Sequence, residues 1–226
     1  MKKVEDICFL IQARLGSQRI PAKMTKPFSG TTLTDIALAK IKNSSYIPKE
    51  NFYFSAWEPE LKEIAEKHGI NVFHRSEKSA KSEGTPMTEM YEWWDKLPFK
   101  YCILINACAP FLKVKTIEDF AKNYMQSKSD GMFGVIEKKN YFWSKDKDLL
   151  TPLTEAVMNT KTVDQIYEAA HCLYAGRMDL IGKDIWMGDF RKKGDIELFT
   201  MEERECFDID YEWQFDLAEK IYVTER

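Results

Sequence analysis

The chain has 226 residues, a length that suits one α/β domain with an ample core. Hydrophobic residues make up 44% and charged residues 31%, which excludes disordered and fibrous classes. A formal net charge of −3 offers no overall positive field for a nucleic-acid backbone, so a polynucleotide partner is disfavoured, while a local basic loop could still hold a small anion.

In chain order, Met1 to Asp6 runs into only a short apolar stretch, which does not make a signal peptide. Ile7–Ile11 reads as a continuous apolar strand buried on both faces. Thr32 to Lys42 has helical spacing, Phe52–Phe54 is a second strand, and Pro59 to Lys67 is a helix ended by Gly69. Val72-Phe73 is a third strand. Pro86 to Leu97 is predicted helical, with Met87, Met90, Tyr91 and Trp94 inward and Trp93 flanking. Tyr101–Ile105 is another fully apolar strand, followed by a helix over Thr116 to Met125. From about Met132 to Trp186 the rhythm changes. Strands at Met132–Ile136 and Leu173–Ala175 flank a polar, irregular stretch, so a single domain over 1–226 carries an inserted segment at about 137–190. The exposed-looking cluster Tyr141-Phe142-Trp143 lies in it and suggests a subunit contact. Strands at Ile196–Phe199 and Cys206–Asp210 and a closing helix from Tyr211 to Tyr222 complete the pattern.

The β-α-β-α alternation implies a Rossmann-like α/β fold: a mainly parallel central sheet wrapped by helices. Ligands bind such sheets at the carboxyl ends of strands, so the loops after Ile11, Phe54 and Ile105 should line the site. The five cysteines, Cys8, Cys102, Cys108, Cys172 and Cys206, show no CxxC spacing, which reads as reduced thiols in a cytoplasmic protein. No run reaches the roughly 20 apolar residues of a membrane span.

The first loop is the most informative. Gln12 to Lys23 carries Arg14, Arg19 and Lys23 with Gly16 and Ser17. Arginine forks and a lysine can neutralise a polyphosphate. Gly16 allows close backbone approach and φ > 0, and successive N–H groups in such a turn can form an anion nest. There is no Walker Gly-Lys-Ser/Thr, which leaves a kinase poorly supported, and no GxGxxG. By composition alone a solvated basic turn is an equal alternative. Asp208 and Asp210, two apart at a predicted strand end, would share a face. They suit Mg²⁺ beside a triphosphate, although by spacing alone a cap of the following helix is the better reading, with Asp210 at the N-cap.

Ala13 to Lys23 resembles the AR-x-GS-x-R-(I/L)-P-x-K signature of the acylneuraminate cytidylyltransferases, whose relatives include CMP-Kdo synthetases and spore-coat polysaccharide nucleotidyltransferases. Gln12 leans toward the last branch. Phe207 to Glu219 is similar to that family's closing DIDT-E-x-DF-x-LAE segment, and Glu63 to Gly69 with Val72 and Arg75 resembles its second helix and third strand. The resemblance implies that Ala13, Arg14, Gly16, Ser17, Arg19 and Lys23 bind CTP, with Arg75 and Ser82 near the cytidine. It implies that Asp208 and Asp210 hold Mg²⁺, that Arg14, Lys23 and Asp210 serve catalysis, and that the chain pairs as a homodimer. The reaction implied is transfer of CMP to an acidic sugar or similar small anionic acceptor for surface glycan synthesis, with release of pyrophosphate. A nucleotidyltransferase using another NTP, a sugar phosphate or a phosphonate is the alternative. A binding module without catalysis is the rival from another class.

Three stretches depart from the family pattern. Asn106-Ala107-Cys108-Ala109-Pro110 replaces QPTSP, Ser55-Ala56-Trp57-Glu58 replaces STDD, and Ala170-His171 stands where sialate enzymes carry Asn-Gly. Candidates for the acceptor are Asn106, His171, Tyr174 and Arg177, with Lys138 and Lys139. Each has a bland reading: a lone histidine beside an apolar strand is usually structural, and the cations suit a surface. Cys108 reads as a packed thiol, not a nucleophile.

Overall fold

In the computed structural model, which describes residues 1–81, 84–153 and 156–224, seven strands form one sheet in the order β3-β2-β1-β4-β6-β5-β7. The strands are β1 (Ile7–Gln12), β2 (Phe52–Ala56), β3 (Asn71–His74), β4 (Tyr101–Ile105), β5 (Gly131–Lys138), β6 (Ile166–Arg177) and β7 (Ile196–Thr200). Neighbours pair in parallel except at β6, which is antiparallel to both β4 and β5. The expected mixed α/β fold with a mostly parallel central sheet is present. Ile7 to Leu10 are fully buried, as a strand covered on both faces requires.

The helices are α1 (Leu33–Lys42), α2 (Pro59–Lys67), α3 (Met87–Met90), α4 (Val114–Gln126) and α5 (Glu212–Thr224). Helix α1 begins where Thr32 Oγ1 accepts the Asp35 N–H at 3.1 Å, an N-cap that satisfies one orphan donor. Helix α4 buries Ile117, Phe120, Ala121 and Tyr124, the i, i+3, i+4, i+7 stripe of a core-facing helix. Helix α2 stops at Gly69, whose φ is +69°; its N–H bonds Glu66 O, and the Ile70 N–H bonds Ala65 O. That left-handed turn is the reason glycine stands there. One apolar layer gathers β1, β2 and β4 with α1, α2, α4 and α5; a smaller one on the other face is built from Cys8, Leu10, Trp93, Met178, Ile181 and Met187.

Four expectations need correction. The helix over 86–97 is one turn, Met87–Met90, continued by turns, so helical phase does not apply: Trp93 is the fully buried one and Trp94 only half-buried. Cys206–Asp210 is no strand: Cys206 ends a 3₁₀ turn and 207–210 form a connection without regular structure, so period-2 alternation cannot put Asp208 and Asp210 on one face. Within 137–190, Ile166–Arg177 is not irregular but a twelve-residue strand inside the sheet. In the aromatic cluster Tyr141 is buried and its hydroxyl accepts the Asn159 N–H, while Trp143 is 51% exposed. No helix among the described residues is long and apolar enough to cross a membrane.

Candidate functional site

The carboxyl ends of β1 and β4 are adjacent, and an open cleft of about 420 Å³ lies between their loops, lined by Gln12 to Arg14, Ser17 to Arg19, Lys23, Met24 and Asn106 to Cys108. The loops after β1 and β4 line it as expected. The loop after β2 does not line the cleft but supports it: Ser55 O at the end of β2 accepts the Ala13 N–H at 3.1 Å, and Glu58 in the loop itself accepts the Leu15 N–H. Ser17 Oγ accepts the Ile20 N–H at 3.3 Å, which leaves its own O–H free to donate. Gly16 does not use the positive φ open to a glycine; nothing lies within 4 Å of where its Cβ would be, so the backbone there is open to close approach by a ligand.

The two motifs meet. Arg19 Nη2 donates to Asp210 Oδ1 at 2.6 Å, and the Arg19 guanidinium lies 5.3 Å from the centre of the Tyr211 ring. Hydrogen bonding to Tyr211 and the Asp210 carboxylate hold Arg19 above its ordinary range. Lys23 is only 8% exposed; its ammonium donates to Ile209 O and lies 3.7 Å from Asp210 Oδ1. A buried ammonium is tolerated because it is paired and hydrogen-bonded.

Asp210 is not the cap of α5. The Asp210 and Tyr211 N–H groups both donate to Gln214 Oε1, at 2.7 and 2.9 Å, half of a capping box, and this frees the Asp210 carboxylate to face the basic loop. Asp208 Oδ1 is buried and has no hydrogen-bond partner. Burial, then the charge of Asp210, pushes the Asp208 carboxyl up against the opposing pull of Lys23 and Asn106. An orphaned carboxylate oxygen next to a second acid is what a hard cation satisfies, so the residues fit a divalent ion. Among the described residues no group of three or more His, Cys, Asp or Glu side chains could hold a metal; Mg²⁺ needs only one or two carboxylates when waters and phosphate oxygens complete its octahedron.

On the acceptor side, β6 runs back past β4. Asn106 N–H donates to Cys172 O at 2.9 Å, and Asn106 Nδ2 donates to His171 O at 2.9 Å. Asn106 Oδ1 accepts the Cys108 N–H at 2.8 Å. The Asn106 amide therefore braces the loop. His171 has φ +55° next to the register shift between β5 and β6, a strained position for a residue with a side chain. Its Nδ1 is 2.7 Å from Tyr174 Oη; burial pushes the Tyr174 phenol up, so it stays protonated. The bond from Asn106, which lines the cleft, to the His171 carbonyl brings His171 next to the rim of the cleft.

Other candidates fall elsewhere. Arg177 pairs in register with Tyr101, the first residue of β4, so it sits at the opposite end of the strands, by the amino end of β4. Its guanidinium is held by Asp130 and Asp179, and it is not an acceptor residue of this cleft. Lys138 pairs with Glu203 and Glu168. Arg75 is 4% exposed; its Nε donates to Ser79 Oγ at 3.0 Å and its Nη2 to Ser79 O. Burial and the Arg14 charge lower it to about 10. It braces the 75–79 turn beside Arg14, whose Nη1 reaches Ala80 O at 3.4 Å. Ser82 lies outside the described residues. Cys108 lines the cleft with its thiol 3.8 Å from Met24 Sδ; burial pushes that thiol up, against any nucleophilic role. Sequence reasoning missed Gln12, which accepts from Trp93 Nε1 at 2.9 Å and donates to Met90 O at 3.3 Å. It also missed Glu58, whose Oε1 accepts the Leu15 N–H at 2.7 Å.

Known proteins share parts of this sequence and its fold. A spore coat polysaccharide biosynthesis protein, SpsF, from Bacillus subtilis is 35% identical over 80 residues, 33% of this chain and 33% of that protein. The match thus spans about a third of the curated relative's length. A CMP:2-keto-3-deoxy-manno-octonic acid synthetase solved in complex with CTP superposes with a TM-score of 0.70 at 11% identity, covering 97% of this chain and 99% of that one. A cytidylyltransferase from Leptospira borgpetersenii gives 0.65 at 16% identity, over 97% and 87%. A 4-diphosphocytidyl-2C-methyl-D-erythritol synthase from Anaerococcus prevotii gives 0.67 at 13%, over 96% of each chain. At such identities these solved structures speak for the fold. The cytidylyltransferase family model matches residues 8–224, a span that contains both the basic loop and the acid pair, and the chain belongs to the cytidylyltransferase family.

Proposed function

We propose that the chain transfers CMP from CTP to a small anionic acceptor, an acidic sugar of the nonulosonic type or a chemically similar acid, and releases pyrophosphate. The observation that carries this reading is the contact of the basic loop with Asp210 at the mouth of one cleft. Four groups of the loop, Arg14, Ser17, Arg19 and Lys23, converge there with open backbone at Gly16, a donor set suited to a triphosphate. The relative from Bacillus subtilis is named for spore coat polysaccharide biosynthesis, and a neighbour of the same fold was solved with CTP bound. These support a nucleotide substrate and a role in surface glycan synthesis.

In this reading the acceptor oxygen attacks the α-phosphorus of CTP in line with the departing pyrophosphate. Lys23 and Arg19 neutralise the growing charge on the leaving phosphates and Arg14 orients the chain, so that positioning and electrostatics supply the catalysis. Asp208 and Asp210 are the residues that would hold Mg²⁺, and the bound ion would add neutralisation at the phosphates. His171, oriented by Tyr174, faces the acceptor, while Asn106 acts through the loop it braces. We read the chain as a cytoplasmic homodimer. Five unpaired thiols suit a reducing compartment, and Trp143, Leu150, Leu153, Val157 and Met158 present exposed apolar surface on the segment between β5 and β6.

The test is pyrophosphate release with Mg²⁺ and each of the four NTPs against nonulosonic acids, sugar phosphates and phosphonates. Release with CTP and a carboxylate acceptor is expected. Preference for another NTP, or turnover with phosphorylated acceptors alone, would replace this reading by a nucleotidyltransferase of different specificity. CTP binding without release across the panel would make the chain a binding module.

A further inference from the structure

We infer that Glu58 is a positioning residue for the phosphate loop, setting the backbone of Leu15 and Gly16 before a nucleotide arrives. This rests on reading that loop as a triphosphate site and deepens it.

Glu58 occupies the N-cap position of α2, with extended backbone and Pro59 following, yet its side chain makes no capping bond to its own helix. Glutamate is a weak choice there; Ser, Thr, Asp and Asn cap best because their short side chains reach the N2 or N3 amide. The carboxylate instead turns away and accepts the Leu15 N–H at 2.7 Å across 43 residues of sequence. Its other oxygen, Oε2, is buried without a hydrogen-bond partner. Its charge also stabilises the buried Arg75 guanidinium, which sits beside Arg14. Local helix stability is thus given up for a contact to the loop.

That contact decides which loop amides remain open. Leu15 N–H is taken by Glu58, and Ser17 N–H turns onto Leu15 O at 2.7 Å. The N–H groups of Gly16, Gln18 and Arg19 have no protein acceptor among the described residues. A negative side chain next to a triphosphate loop repels the ligand; a net benefit requires that it fix the loop and lower the ordering cost of binding.

The side-chain length offers a clean separation. In Glu58→Asp the carboxylate is one methylene too short for Leu15 but well suited to cap α2. Loop and helix then respond in opposite directions, which a merely structural role would not produce. Glu58→Gln keeps an oxygen for the Leu15 N–H and removes the charge. The experiment is titration calorimetry with CTP–Mg²⁺ and with inorganic tripolyphosphate, alongside thermal melting. For Glu58→Asp we expect about tenfold weaker binding of both ligands with an unchanged or higher melting temperature. Glu58→Ala should show the same loss of affinity. Glu58→Gln should stay within about threefold of wild type, the hydrogen bond being kept. Wild-type affinity in both Glu58→Asp and Glu58→Ala would overturn the inference and leave the triphosphate reading standing. Failure of the wild-type chain to bind either ligand would overturn the loop reading and this inference together.

Discussion

Arg19 and Asp210 lie 191 residues apart in sequence, and their side chains meet at 2.6 Å. The contact joins the loop after the first strand to the segment before the last helix. It makes the cleft a single electrostatic unit in which Lys23, buried on the same carboxylate, takes part.

Asp210→Ala should lower Mg²⁺-dependent pyrophosphate release by about a hundredfold or more. The fold should persist, because the Asp210 side chain makes no capping bond to α5 and the amides just before that helix are satisfied by Gln214. Pyrophosphate release and a far-ultraviolet spectrum check the two halves; wild-type turnover removes Asp210 from the site. In the same series Lys23→Ala should weaken CTP by on the order of tenfold or more in calorimetry.

Asp208→Asn should stabilise the metal-free chain by about 1 kcal/mol, since a buried, unpartnered carboxylate oxygen becomes part of a neutral amide. The same variant should lose any upward shift of melting temperature caused by Mg²⁺ with CTP. A variant less stable than wild type without metal, or one that keeps the shift, would contradict the assignment.

Arg177→Ala should leave CTP affinity and pyrophosphate release unchanged. Its guanidinium serves Asp130 and Asp179 at the other end of the strands. The expected cost is roughly 0.5–1 kcal/mol of stability, as for partly exposed ion pairs. A raised KM for the acceptor would return Arg177 to the site.

Lys40 donates to Ala109 O at 2.7 Å, and burial lowers its ammonium to about 7. A free lysine titrates at about 10.4. Between those values the unfolded chain keeps a proton that the folded chain has released, so stability from this group rises with pH across the window. Below pH of about 7 both states carry the charge and its burial cost is fully present. The melting temperature of wild type should therefore rise relative to Lys40→Met from pH of about 7 to about 9; parallel pH profiles would refute it.

What the sequence by itself determined is the local part of this protein. Apolar runs at Ile7–Ile11 and Tyr101–Ile105 fixed two central strands, because strands buried on both faces admit little else. Gly69 and the stripe from Ile117 to Tyr124 set a helix end and a helix face by backbone geometry and by period. The basic loop was legible because its residues are contiguous.

Tertiary structure decided whatever depends on packing or on residues far apart. Trp93 replaced Trp94 in the core because the helix stopped after one turn. Arg177 and His171 were equal candidates until β6 ran antiparallel to β4 and carried them towards opposite ends of the strands. Asp210 was a cap by spacing until Gln214 took that role, and Glu58 gave no sign of its partner, since nothing local encodes a hydrogen bond across 43 residues. Short-range periodicity and propensity are properties of the chain, whereas the meeting of two charged loops is a property of the sheet that brings their strands together.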